Sequence, residues 1–290
     1  MLPVFRPLCL PQFRYLRNGA ALAGLTQSLA YSGVKRAAAA PARKQTQRNL
    51  GEIGVALQGE CGERPPDAAV WNALRKDPVS KTVRDFVWKA IHGAHRVGAY
   101  WKHIPGYEER GVCNVCGVED SMKHILVECT APGQALVWGV VRCLFKTKGI
   151  AVPTISLGLA LGAHMFVVLN EKGDVVVGKT RGARIILTEA VHTIWALRCE
   201  RVVGWEATPE RRHAAQEVLN RIGGKLNKRV QMDQGATNVR THKKRAIGKA
   251  KVSETWRGIL QAESEIPEDW MHLTGVLVGI PSLADLRDMG

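Results

Sequence analysis

The sequence predicts a mainly α-helical protein: a helical domain stapled by a small Cys-Cys-His-Cys zinc loop, with one short β-hairpin and flexible termini. Three observations carry this expectation. Apolar residues recur at helical spacing through 66–103, 135–144 and 183–203. Strand-like runs are confined to 166–177. Between the first two helical regions lies Cys113-Asn-Val-Cys116-Gly-Val-Glu-Asp-Ser-Met-Lys-His124-Ile-Leu-Val-Glu-Cys129, thiols and an imidazole at ligand spacing.

The helical elements follow in order. Residues 19–34 read as a short helix with Leu22, Leu25 and Leu29 inward, and Lys35 to Arg48 as a basic linker. Pro66-Asp67 opens a segment with Val70, Trp71 and Leu74 at helical spacing, and Asp77-Pro78 breaks it. Ser80 then caps a helix whose inner stripe is Val83, Phe86, Val87, Ala90 and Ile91. Ala135 to Leu144 is an apolar helix that packs against the metal loop. Residues 183–203 make the clearest long helix, with Arg184, Arg198 and Arg201 at polar positions for surface ion pairs or phosphate contacts. A further helix covers 209–222. The hairpin is Phe166–Leu169 and Val175–Val177 around Asn170 to Gly173.

These elements divide into a basic, partly disordered segment over 1–65 and a helical zinc-binding domain over 66–145. A helical extension over 146–222 and a basic, then acidic, tail over 223–290 complete the chain.

The metal loop has internal logic. Cys113 and Cys116 supply half a tetrahedral site, and Gly117 lets the backbone curl after the second thiolate. His124 and Cys129 supply the rest. Three thiolates and an imidazole form a closed structural set for Zn2+, with no position left for water chemistry. In a continuous helix five residues turn about 140° past a full turn, so His124 and Cys129 would not share a face. A helix capped by Asp120 or Ser121 must therefore end or distort near Cys129, where Thr130-Ala-Pro132-Gly133 supplies a stop.

Cys9, Cys61, Cys143 and Cys199 are isolated, and the odd total of seven cysteines argues against a disulfide framework and for a reducing compartment. His92 and His95 have no nearby thiol or acid to complete a ligand set and read as packing or polar surface residues. No G-x-G-x-x-G element supports a dinucleotide site.

Charge suggests the partner. The 290 residues carry a net charge of +15, which points to a polyanion, most often nucleic acid. Residues 221–251 hold ten Lys or Arg against one acid, densest at Arg240, Lys243, Lys244, Arg245, Lys249 and Lys251. Such a run fits phosphate contact, a nuclear-import signal or a solvated arm. Residues 252–290 reverse the sign, with seven acids against two bases, and can fold back on the basic run. No apolar run approaches the ~20 residues of a membrane span, and neither a membrane nor a small-molecule substrate is expected. Residues 1–51 carry eight Lys or Arg before the first acid, Glu52; within them Met1 to Arg17 has the composition of a mitochondrial transit peptide, and a start inside a longer ancestral protein explains it equally well.

Trp71, Asp77 to Arg84, Phe86-Val-Trp-Lys89, His92-Gly-Ala-His95-Arg-Val-Gly98, Trp101, Ile104-Pro-Gly-Tyr-Glu108 and the C-x2-C-x7-H-x4-C knot resemble the reverse-transcriptase zinc-binding domain. That domain lies at the C-terminal end of non-LTR (LINE-type) retrotransposon polyproteins, and the form here is closest to that of fungal elements. The likeness extends to Leu25–Val34, Glu189–Val203, Asn220-Arg-Ile and Thr255-Trp256. It implies a retroelement-derived module without the polymerase and ribonuclease H domains, hence a tail fragment with no enzymatic activity. The implied role is non-catalytic RNA or DNA binding, in the nucleus or cytoplasm in preference to mitochondria. A structural or protein-interaction module without a nucleic-acid role is the alternative, and a metal-dependent nuclease using His92 and His95 is a third reading.

Overall fold

The computed structural model describes residues 26–37, 43–76, 78–206, 208 and 211–287. The chain forms two compact units, Met1–Arg43 and Lys44–Gly290. In the first, α1 is Gln27–Ala37, its start held by Thr26 Oγ1 accepting from Leu29 N–H at 3.3 Å. Leu29 is exposed rather than inward, and Leu22 and Leu25 lie outside the described residues.

The second unit begins earlier than expected. Residues 44–48, read as linker, open the 18-residue helix α2 (Lys44–Cys61). Its mixed composition hides it in the sequence, because only Leu50, Ile53 and Leu57 are buried apolar residues. What holds it is close packing on α6 (Leu157–Gly162). A Cβ at Gly158 would lie 2.1 Å from Glu52 O, and one at Gly162 would lie 2.9 Å from Ile53. Asn49 also donates to the carbonyls of Ala90 and Ile91, satisfying the C-terminal end of α4 (Lys81–Ile91).

α3 (Asp67–Leu74) starts after Pro66, and α4 (Lys81–Ile91) is capped by Ser80, whose hydroxyl accepts from Val83 N–H. The stripe Val83, Phe86, Val87, Ala90 and Ile91 is buried, as its spacing predicts. α5 (Gln134–Thr147) buries Val137, Trp138, Val140, Val141, Leu144 and Phe145. After α6 the hairpin reduces to one antiparallel bridge, Leu169 to Val175, turning at Gly173 (φ +83°). Its second arm is cut short because α7 starts at Val177.

Helix α7 (Val177–Cys199) is the axis of the fold and continues as a π turn over Glu200–Gly204. It is buried on nearly every side, with α4, α5, α8 and α10 around it. The expectation that its arginines lie at the surface is wrong for two of them: Arg198 and Arg201 are buried, and Arg184 bonds the carbonyls of Met165 and Phe166.

α8 spans Ala215–Ala236, not 209–222. The basic run therefore starts inside a packed helix, where Arg229 is buried and donates to Pro78 O. α9 (Val239–His242), α10 (Lys249–Trp256) and α11 (Leu283–Arg287) complete the chain. Residues 223–287 pack into the fold and are not a tail. Arg181 on α7 makes a buried bidentate pair with Asp233 on α8 (2.6 and 2.7 Å), and Trp256 Nε1–H donates to the same carboxylate at 2.8 Å. Trp256, Trp270, Met271, Val276 and Val278 enter the same core as Ile53 and Phe86. The expected boundaries at 65, 145 and 222 thus fall inside one core, and the division lies at 43/44. No described helix is long and apolar enough to cross a membrane.

His164 is buried, its Nε2 3.1 Å from Val70 O, and burial pushes its pKa down to about 4; His192 is depressed similarly by burial and by Lys225. Below the usual imidazole value near 6.5 the unfolded chain binds protons that the folded chain refuses, so stability falls as pH drops toward 4. His164→Gln is expected to flatten this acid limb relative to wild type in denaturant titrations at stepped pH. Identical limbs would contradict the assignment.

Candidate metal centre

The loop that carries the first two cysteines is closed by backbone bonds. Val112 bridges Glu119, Cys113 N–H donates to Val118 O, and Gly117 N–H donates to Cys113 O, both at 2.8 Å. Gly117 sits at φ +69°, the left-handed conformation the sequence requires of it there. This turn places Cys113 and Cys116 on one side of the knuckle.

The second half solves the five-residue problem by changing helix type. Ser121 Oγ, not Asp120, caps the turn, accepting from His124 N–H at 3.1 Å. From His124 to Glu128 the backbone forms a π turn, in which Cys129 N–H donates to His124 O at 2.7 Å. A five-residue closure stacks residue i over i+5, so His124 and Cys129 face the same point. The wider turn leaves the carbonyls of Leu126 and Val127 without a regular helical donor. Gln134 Nε2 donates to both, at 3.3 and 2.7 Å, and Trp138 Nε1–H donates to Leu126 O at 2.8 Å. These bonds join the apolar packing of Ile125 and Leu126 in the core cluster of Val137 and Trp138 to make the predicted contact between α5 and the knot.

All four sequence-predicted ligands converge. One ligand atom from each of Cys113, Cys116, His124 and Cys129 lies within 4.8 Å of the others. Cys129 Sγ is 3.8 Å from both Cys113 Sγ and Cys116 Sγ. An ion bound tetrahedrally through metal–sulfur bonds of about 2.3 Å separates its sulfurs by about 3.8 Å, so the spacing fits. His124 Nε2 is buried without a hydrogen-bond partner, the condition of a nitrogen reserved for an ion.

The surroundings suit thiolates. Ala131 N–H donates to Cys129 Sγ and Thr130 N–H to Cys116 Sγ, both at 3.4 Å. Cys113 is held well below the usual thiol range by the hydrogen bond from Cys129 and then by His124, while the same pairing and burial push Cys129 up. Arg201, buried and with its Nε unpartnered, lowers the cost of charge at Cys129. Three thiolates on a divalent ion leave one net negative charge, which this guanidinium can balance.

Sequence reasoning missed the supports. Asp120, read as a cap, is buried and accepts from Arg198 Nε and Nη2 at 2.9 and 2.5 Å. The pair ties the metal loop to the end of α7, 78 residues away. Only the length of that separation conceals it; the acid beside a metal loop and an arginine on an apolar helix are its signals.

His92 and His95 take packing roles, as expected. His92 Nδ1 is 3.0 Å from Thr46 Oγ1 and stacks on Trp71, while His95 bonds Phe86 O and packs on Trp195. The six basic residues lie elsewhere, all exposed, on a folded α9–turn–α10 segment. Asn238 caps α9 and Ile247 N–H donates to Ala236 O at 2.9 Å, so the segment is not a loose arm. Lys249 pairs with Asp269 at 2.7 Å, the fold-back expected of the acidic residues.

Comparison of the chain with protein-family models, with curated proteins and with solved structures finds no match. The site geometry alone defines the class: a helical fold with a Cys3His cluster that could hold a metal ion.

Cys113→Ser or Cys129→Ser is expected to abolish metal binding and unfold at least residues 100–145, because metal binding in closed sites supplies folding free energy on the order of 10 kcal/mol. Cys143→Ser, outside the cluster, will be mild, and chelation will lower Tm. An unchanged melting curve in chelator would contradict the structural role. Arg198→Met leaves Asp120 charged and unpaired in the interior, a loss of about 3–5 kcal/mol by chemical denaturation.

Proposed function

We propose that the chain is a zinc-binding module of retroelement origin that engages RNA or DNA through phosphates, without a catalytic step. The observation that carries this reading is the exposed basic segment around 240–251, displayed on the metal-stapled helical unit. Arg240, Lys243, Lys244, Arg245 and Lys251 face solvent close together in sequence on the folded α9–turn–α10 segment. Five such cations displace counterions from a phosphate backbone whatever its base sequence.

Zinc is the ion of choice because three soft thiolates and an imidazole in tetrahedral spacing suit it over harder cations. Four protein ligands close the coordination shell, which is why the reading assigns the ion to folding and not to hydrolysis. Retroelement origin rests on the sequence likeness around Trp71, Phe86 to Lys89 and the knuckle.

A purely structural or protein-interaction module is the second reading, and one observation favours it. Part of the basic run is consumed by the fold: Arg229 is buried, Arg221 pairs with Glu200 and Glu217, and Lys249 pairs with Asp269.

A salt titration separates the two. The zinc-loaded chain is expected to bind nucleic acid with log K falling linearly against log salt. The triple variant Lys243→Ala, Lys244→Ala, Arg245→Ala is expected to weaken binding uniformly across sequences and to reduce the slope by about 1 per lysine or arginine removed. Absence of binding at low salt would sink the nucleic-acid reading and leave the structural one.

A further inference from the structure

Beside the metal loop lies a surface that the basic segment does not include. The 3-10 turn Gly98–His103 carries Tyr100 and Trp101, and the following turn carries Tyr107 and Arg110. Tyr100 and Tyr107 are 43% and 46% exposed. Their arrangement is layered. Arg110 lies over both Trp101 and Tyr107, at 5.5 and 4.7 Å from the ring centroids, and Arg96 lies over Tyr100 at 5.5 Å. Tyr100 and Trp101 meet edge to face at 5.2 Å, and Trp101 Nε1–H donates to Arg96 O at 3.0 Å.

The metal loop holds this surface in place. Gly98, at φ +52°, lets the turn approach so closely that a Cβ there would lie 3.1 Å from Glu119 Oε1 and 3.3 Å from Asp120 O. A Cβ at Gly111 would lie 2.9 Å from Gly98 O. Lys102 pairs with Glu119 at 2.7 Å, and Asp120 N–H donates to Gly111 O at 3.0 Å. The aromatic turn, the knuckle and the Asp120–Arg198 anchor therefore form one continuous piece.

We infer that Tyr100, Trp101 and Tyr107, with Arg96 and Arg110, form a stacking platform for unpaired bases of single-stranded nucleic acid. The inference rests on the nucleic-acid reading above and names the form of the ligand. Exposed rings interleaved with guanidinium planes are the surface that bases of any identity stack upon, whereas bases inside a duplex keep their faces covered by their neighbours. Glu108 and Glu109 in the same turn offset the positive charge, and Lys102 is already paired. The platform therefore acts through stacking, and the 240–251 segment supplies most of the phosphate neutralisation. This division of labour makes the two surfaces separable: one changes strand preference, the other changes salt dependence.

The test uses the full zinc-loaded chain with oligo-dT, oligo-U and a duplex of matched length. Tyr100→Ala with Tyr107→Ala is expected to weaken single-strand binding about tenfold or more, because each lost ring removes a base-stacking face. Duplex binding and the salt slope are expected to stay at wild-type values. Tyr100→Phe with Tyr107→Phe is expected to retain single-strand affinity, whereas Tyr100→Leu with Tyr107→Leu, which keeps apolar bulk without an aromatic face, is expected to lose it. Metal content and Tm equal to wild type confirm that each variant is folded. Full single-strand affinity in the alanine and leucine pairs, or an equal fall for duplex and single strand, would overturn the platform. If the Lys243/Lys244/Arg245 variant still lost affinity, the nucleic-acid reading would survive that result. A wild-type chain that binds none of the three probes would overturn both.

Discussion

For His124 and Cys129 to face one point from positions five residues apart, a regular α-helix will not serve. The fold answers with a π turn, and much of the surrounding structure follows from that choice. Widening the turn frees the carbonyls of Leu126 and Val127, and buried carbonyls require donors. Gln134 and Trp138 on α5 supply them, which fixes where α5 starts and how it lies against the knuckle. The polar bonds that repair the distortion are also the bonds that attach the metal loop to the core.

The second level of organisation is charge buried along α7. Arg198 holds Asp120 of the metal loop, and Arg181 holds Asp233 of α8 together with Trp256 of α10. Each pair joins segments far apart in sequence, and each is fully desolvated, so its value lies in geometry more than in net stability. Removing either partner leaves a lone charge in the interior. The same helix thus positions the metal loop at its C-terminal end and the platform for the basic segment near its N-terminal end.

Much of this was legible in the sequence. The ligand spacing, Gly117, the Ser80 cap and the stripe from Val83 to Ile91 are local patterns, and local patterns survive translation into structure. The need for distortion at Cys129 was legible too, though not its form, since a π turn has no sequence signature apart from the ligands that demand it. What was hidden is what depends on partners. α2 carries few apolar residues and is held by glycines of α6, which lie about a hundred positions away. The arginines of α7 sit at positions that look polar, but other helices cover them, so surface exposure was the wrong expectation. Residues 223–290 looked like a charged tail because charge dominated their composition, while Trp256, Trp270 and Val278, which enter the core, were too sparse to show a period. The exposed residues Tyr100 and Tyr107 were visible as residues but not as a surface, because their relation to Arg96 and Arg110 exists only in the fold.

The closed zinc shell proposed for Cys113, Cys116, His124 and Cys129 is open to direct measurement. X-ray absorption at the zinc edge on the purified chain addresses it most directly. One zinc per chain is expected, with three sulfurs at about 2.3 Å and one nitrogen at about 2.0 Å. A shell containing water or carboxylate oxygen, or a chain that retains no zinc, would contradict it.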